Sequence, residues 1–463
     1  LIPDSAAHIA YARSLLWDAD LDFTNDYQRL GSIESEPGIA FGALTEAGRP
    51  GNPFGIGSAV LWLPFVAIVA VLGFAASAAG FNVATDGFGT SILLAVHMGT
   101  WTYVAAALLL IVLILRETLP GGGKRAAVFG AFFGTPLIYF VLQMPSYSHA
   151  CSAFVVTLLL YLSLRWRSEW TNRRAVMLGL VLGLAGLVRV QELGFWFIPL
   201  IIGWYGGAMR QRKDVLQAGI YTGAALVVFA IQLAAWSVIY GSVFQIPQGS
   251  GFLQFSIDRL WNVLFAARHG LIAWSPVIAL AAAGWVMLIR RRDTRALGLA
   301  AIVGFVIQWF VNSLPIDWWG GWSFGARRFV DCVPLVAVGL AAVDARGRAW
   351  RAAVYALASL NLVQWLRVAS GSLSGETDPG WNMLWGKGFF SFLPHIPTAL
   401  WRVLEVPWTY VRALHRPTAI PPSLHPDSDG FMALIFVLWS LGLVFAAFRI
   451  GLRLQNGESR PDR

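Results

Sequence analysis

Long apolar stretches recur along most of this chain, separated by short polar turns. A helix of about 20 apolar residues spans the hydrocarbon core of a bilayer, so the pattern predicts an all-α, polytopic bundle of transmembrane helices. Eleven spans are expected, near 91–116, 126–143, 149–165, 175–188, 194–206, 215–240, 271–289, 297–314, 329–343, 351–367 and 431–449. The strict two-residue alternation of a membrane β-barrel strand does not describe these runs. Composition agrees: 57% of residues are hydrophobic and 13% charged, against roughly 25% charged in a soluble domain.

The formal charge of +9 brings nucleic acid to mind, but the basic residues follow the spans instead. Of the 34 Lys and Arg, 21 fall in alternate loops around 116–125, 165–174, 210–213, 290–295 and 346–351 and in the tail from 449. The positive-inside rule makes those loops cytoplasmic. Segments 1–90, 144–148, 241–270, 315–328 and 368–430 are then exoplasmic, and with the span ends facing them they hold 18 of the 25 acidic residues. The apolar run 57–80 is long enough to cross, yet a crossing there would invert every later loop. It is therefore expected to be a membrane-embedded juxtamembrane helix or hairpin. With residue 1 outside and the tail inside, one span upstream of residue 1 is expected, which makes about twelve.

Four regions follow: a first exoplasmic loop with amphipathic and juxtamembrane helices (1–90), a transmembrane core (91–367), an exoplasmic cap rich in Pro, Gly and Trp (368–430), and the last span with its cytoplasmic tail (431–463). Cys151 and Cys332 sit in or beside apolar runs without metal-ligand spacing and read as packing residues.

Chemistry is sought at the outer face. Residues 3–16 carry apolar side chains at Ile9, Ala12, Leu15 and Leu16, a helical spacing, with Asp4 at the N-cap position. A cap is one account of Asp4; a carboxylate that takes a proton from an acceptor hydroxyl, or binds a cation, is the other. His8 lies on the same segment. Asp18, Asp20, Asp22 and Asp26 are spaced acids, but they lack the central Gly and closing Glu of a calcium loop and read mainly as a solvated turn. In the tight turn Pro145–Ser148, Ser148 is expected to cap the next helix. His149 then falls in its first turn, where a helix N-terminus favours the neutral ring.

Asp317 to Phe329 is the most informative stretch. Trp318, Trp319 and Trp322 suit a headgroup-level anchor, while Arg327 and Arg328 run against the positive-inside bias and are costly if unpaired. A phosphate would compensate them through bidentate guanidinium contacts, and Gly320, Gly321 and Gly325 would let backbone approach it. A salt bridge to Asp317 or Asp331, or contact with lipid headgroups, is the alternative. Arg189 and Arg268 could line the same cavity, though Glu192 pairing Arg189 is simpler. The chain carries no P-loop, dinucleotide fingerprint, HExxH or nucleophile elbow, which disfavours a nucleotide-driven pump.

In layout the chain resembles the GT-C superfamily of polytopic glycosyltransferases, which includes protein O-mannosyltransferases and the lipid A aminoarabinose transferase. The resemblance rests on the acidic first outer loop from Asp4 through Arg13-Ser14-Leu15-Leu16 and Asp18-Ala19-Asp20-Leu21, the embedded segment, the polar turn at His149 and the late outer loop. It implies transfer of a sugar from a polyprenyl-phosphate donor to an exoplasmic lipid, glycan or protein acceptor, in a bacterial inner membrane with a periplasmic active face. It also implies Asp4 as general base and Arg327 and Arg328 on the leaving phosphate. Asp4 is followed by Ser5, and His149 stands where many relatives carry Asp, so a two-carboxylate metal centre does not carry over and the need for a divalent metal is left open. Two rivals stand beside this reading: a transporter or flippase of a lipid-linked substrate, and a non-catalytic subunit that docks through the 368–430 cap into a larger membrane assembly. No nucleic-acid partner is expected.

Overall fold

The computed structural model describes residues 3–30, 43–119, 124–209, 214–321, 323–374, 378–403 and 424–458. Among them the regular structure is helical and the only β pairings are isolated bridges. The chain opens with α1 (Pro3–Arg13), a π-helical turn at Ser14–Asp18 and a short α2 (Thr24–Leu30). Then come α3 (Gly57–Ala78), α4 (Thr90–Thr118), α5 (Lys124–Phe133), α6 (Leu137–Leu142), α7 (Ser148–Arg165), α8 (Asn172–Val188), α9 (Phe197–Gly206) and α10 (Asp214–Tyr240). The second half carries α11 (Ile257–Phe265), α12 (Leu271–Trp274), α13 (Val277–Arg290), α14 (Arg295–Ser313), α15 (Val333–Asp344), α16 (Arg348–Ser370), α17 (Gly380–Trp385), α18 (Ile396–Val403) and α19 (Asp429–Glu458).

Seven of the described helices are long and apolar enough to cross a membrane: α3, α4, α7, α10, α14, α16 and the Asp429–Ala446 part of α19. Six of these match expected spans. The other five expected spans are built differently. Segment 175–188 lies in the 17-residue α8, while 194–206 and 329–343 each begin in a 3-10 turn, Val190–Trp196 or Arg327–Cys332. Segments 126–143 and 271–289 are broken where Pro136 and Pro276 remove an N–H.

A break in apolar surroundings leaves polar groups that need partners, and one residue contacts both breaks. Asn361, fully buried on α16, donates through Nδ2 to the carbonyls of Phe133 (2.8 Å) and Thr135 (3.1 Å), and its Oδ1 accepts from Ser275 Oγ at 2.9 Å. Elsewhere small residues set the packing, as is usual between membrane helices. A Cβ on Gly179 would lie 2.2 Å from the Tyr221 carbonyl oxygen, so α8 presses on α10; one on Gly284 would lie 1.9 Å from that of Gly339, so α13 crosses α15 backbone to backbone.

α3 has the length to cross, but its flanks return to the same part of the molecule. Before it, Asn52 donates to Ala7 O (2.8 Å), and Gly55 and Gly57 press on the Leu187–Val188 backbone. Beyond it, Trp17 donates to Thr85 O (2.8 Å), and Asp427 accepts from the amides of Ala84 (2.6 Å) and Ser91 (2.8 Å). Both flanks thus contact the single helical stretch Pro3–Asp18. Glu117 and Arg165, at the far ends of α4 and α7, face each other at 4.0 Å.

Two hydrophobic cores result. The larger joins α5 to α7, α13, α15 and α16; the smaller packs α1 to α3 with the start of α4, around Ile9, Tyr11, Phe23 and Trp62. The candidate site lies at their seam.

Candidate active site

Asp4 and His8 are four residues apart and so share a face of α1. The helix begins at Pro3, so Asp4 is a first-turn residue and not the N-cap expected from sequence. Ser146 Oγ donates to Ser5 Oγ at 2.7 Å and ties α1 to the turn before α7. His8 is 2% exposed, its ring 4.4 Å from that of Phe54 and 6.1 Å from Trp62. Burial, with Arg189 and Arg327 nearby, brings its pKa down to about 3, so the ring is neutral throughout the physiological range.

Arg327 opens the 3-10 turn that leads into α15 and reaches across the seam. Its Nη1 lies 2.9 Å from Asp4 Oδ2, both side chains being largely buried, and its guanidinium sits 5.8 Å from the Tyr147 ring centre. Gly320 and Gly321, both at positive φ, bring the preceding loop down onto it: a Cβ on Gly320 would lie 3.2 Å from Arg327 Cγ. Arg328 turns the other way, to Asp317 Oδ1 at 2.7 Å and Asp317 O at 3.1 Å. The salt-bridge alternative considered for the Arg pair therefore holds for Arg328.

Arg189 ends α8 in an extended conformation. Its Nη1 lies 2.5 Å from His149 Nδ1 and 3.2 Å from Nε2, and its Nη2 donates to Gln191 Oε1 at 3.2 Å. The expected Arg189–Glu192 pair is not formed. Glu192 is fully buried, and burial beside Asp331 raises its pKa well above the usual carboxylate range. Arg189 has no carboxylate within 4.0 Å among the described residues, unlike Arg327 and Arg328. Gln191 is the hub behind it: its Nε2 donates to Arg328 O (3.2 Å) and Asp331 Oδ2 (3.3 Å).

His149 lies in the first turn of α7 as expected, but Tyr147, not Ser148, is the N-cap residue and makes no side-chain cap. Arg268 stacks over Trp319, 3.8 Å from the ring centre. Its neighbour His269, rather than Arg268 itself, lines a small crevice with Asn312, Trp318, Trp319, Arg327 and Arg328. Trp322 lies outside the described residues. Sequence thus located Asp4, His8, His149, Arg189 and Arg327 at one centre. It missed the linking roles of Gln191 and Tyr147 and the place of Asn312, whose only signal is a polar residue near the end of an apolar helix.

An apolar groove of about 330 Å³ opens nearby, lined by Phe265, Ile272, Ala273, Pro276, Leu360, Trp381 and Trp385. It lies between α11–α12 and α16–α17. Arg367, buried beneath the α17 side, holds the carbonyls of Leu384 (2.9 Å) and Gly388 (3.0 Å).

The acids 18 to 26 are structural. Asp18 pairs with Arg13, Asp20 Oδ1 accepts from Ser14 Oγ (2.7 Å), and Asp22 Oδ1 accepts from the Thr24 amide (3.1 Å) and hydroxyl (2.6 Å). Among the described residues, no group of three or more His, Cys, Asp or Glu is placed to hold a metal ion. Comparison with models of known families, with curated proteins and with solved structures finds no match to this chain.

Proposed function

We propose that this chain is a membrane glycosyltransferase that moves a sugar from a polyprenyl-phosphate donor to an acceptor on the exoplasmic face of a bacterial inner membrane, in the manner of the GT-C enzymes it resembles. The observation that carries the reading is the contact of Asp4 with Arg327, at 2.9 Å across 323 residues of sequence. A carboxylate fit to take a proton and a guanidinium fit to hold phosphate meet at one point, with Arg189 and His149 beside them.

Breaking an anomeric C–O bond builds positive charge on the sugar and negative charge on the departing phosphate. In a single displacement with inversion, the acceptor hydroxyl oxygen attacks the anomeric carbon and passes its proton to Asp4. The C–O bond electrons leave with the lipid phosphate. Arg327 and Arg189 stabilise that charge, and His149, bonded to Arg189, sets the guanidinium's direction. Arg328 supports the loop through Asp317. The first isoprene units of the prenyl chain take the groove lined by Phe265, Leu360, Trp381 and Trp385, whose lining residues alternate along 263–276 with Val263 and His269 of the charged crevice.

The test is transfer of labelled sugar from undecaprenyl-phosphate sugars by the protein in nanodiscs. Asp4→Asn and Arg327→Ala are each expected to lower turnover by about 10²-fold or more. Full turnover by folded Asp4→Asn protein would sink the proposal.

A further inference from the structure

The crevice between α11, α14 and the 317–329 loop encloses about 10 Å³, room for one water-sized group and no more. Its walls are Trp318 and Trp319, and Arg327 and Arg328 form its edge. Two observations single it out. Asn312, 2% exposed, donates through Nδ2 to Arg328 O at 3.4 Å, while its Oδ1 is buried without a hydrogen-bond partner among the described residues. His269, whose ring is 1% exposed and whose Nδ1 lies 2.8 Å from Trp319 O, adopts φ +56°. That conformation is uncommon outside glycine, and such residues cluster at ligand sites.

We propose that this crevice is a recognition pocket for a single hydroxyl of the substrate's sugar ring. The inference rests on the glycosyltransferase reading and adds to it the place where the sugar is read. A hydroxyl both donates and accepts: its proton goes to Asn312 Oδ1, and its oxygen accepts from the guanidinium edge. The tryptophan walls exclude anything larger, so a methyl ether or an amide at that position is rejected. Because Arg327 borders both the pocket and Asp4, a phosphate held there brings the attached ring to the pocket mouth. A site built to bond a hydroxyl discriminates strongly against the analogue that lacks it, since its own polar atoms are then left unpaired.

The experiment measures binding to the protein in nanodiscs. The probes are undecaprenyl phosphate, its mannosyl, glucosyl and arabinosyl derivatives, and the monodeoxy form of each sugar. For the sugar that binds, removal of one particular hydroxyl is expected to weaken binding at least tenfold. In Asn312→Leu, or Trp318→Ala should that variant not fold, the ratio of parent to monodeoxy affinity should fall to within about twofold. Asn312→Asp keeps the acceptor oxygen and should keep the ratio even if phosphate affinity drops. A wild type indifferent to every deoxygenation overturns the proposal. So does Asn312→Leu with an unchanged ratio, which would mean that the crevice holds a structural water only. The sugar-free lipid separates the two levels: if undecaprenyl phosphate binds without hydroxyl discrimination, the pocket alone is wrong; if no probe binds, the donor reading falls and the pocket with it.

Discussion

Among the described residues, two aspartate–arginine centres with largely buried side chains involve the first 30 residues, and they differ in what they join. Arg13 pairs with Asp18, lies 3.6 Å from Asp26, and covers the Phe88 ring at 4.2 Å. Its carboxylate partners lie within 13 residues of it in sequence, and the cluster closes a turn within the smaller core. Asp4 instead meets Arg327, which belongs to the larger core, and their contact lies beside a crevice and two histidines. A local acid–base cluster fastens the chain to its own neighbourhood; one assembled from opposite ends of the sequence, at a seam, is where the proposed function puts the ligand.

The sharpest way to break this comparison is to neutralise one acid from each centre. Asp4→Asn is expected to cut sugar transfer about 10²-fold or more with little change in Tm, whereas Asp18→Asn should leave transfer within about twofold. Equal losses in an initial-rate assay would show that the two centres are not distinct in kind.

A smaller effect, on stability, comes from Arg13→Met. Removing the partner of a buried carboxylate is costly, and with protonation of Asp26 offsetting part of it, a loss of about 2 kcal/mol is expected in thermal or denaturant unfolding. Transfer per folded molecule should be retained.

The smallest effect is in pH dependence. Burial raises the Asp26 pKa to about 7, above its value in an unfolded chain near 3.8, so the folded state binds the proton more tightly. Stability is then fullest below about pH 4, falls as the pH rises from about 4 to 7, and levels off above it. Asp26→Asn should flatten that slope, raising Tm relative to wild type at pH 8 more than at pH 5. A melting series across that range that runs parallel in both proteins would remove Asp26 as the cause.

Much of the site was legible because charge stands out against an apolar background. Arg327 and Arg328 are conspicuous as adjacent charges between apolar runs, outside the loops where most of the basic residues gather, and Asp4 precedes a helical spacing. Their pairing was not legible, since it depends on two cores meeting across 323 residues. Arg327 and Arg328 look alike in sequence, yet opposite directions at the start of a 3-10 turn give one the seam and the other Asp317. That 57–80 holds one long apolar helix followed from its unbroken hydrophobic run. The broken spans did not, because Pro136 and Pro276 within apolar runs mark a kink without naming the donor that repairs it. The apolar groove was not legible for a similar reason: α11, α12 and α17 are short elements with no span-length signature.

Asn361 has a consequence for biosynthesis. The α5–α6 break takes its donor from Asn361, which also accepts from Ser275 at the α12–α13 break and is made 228 residues after Phe133. At about 5–20 residues per second, the amide emerges roughly 10 to 45 s after the carbonyl it satisfies. During that interval the first broken span rests on water or on the insertion machinery for its missing bond. The arrival of α16 is the event that makes it a settled part of the membrane domain, so a ribosome stalled before residue 361 would leave the early helices inserted but unlocked.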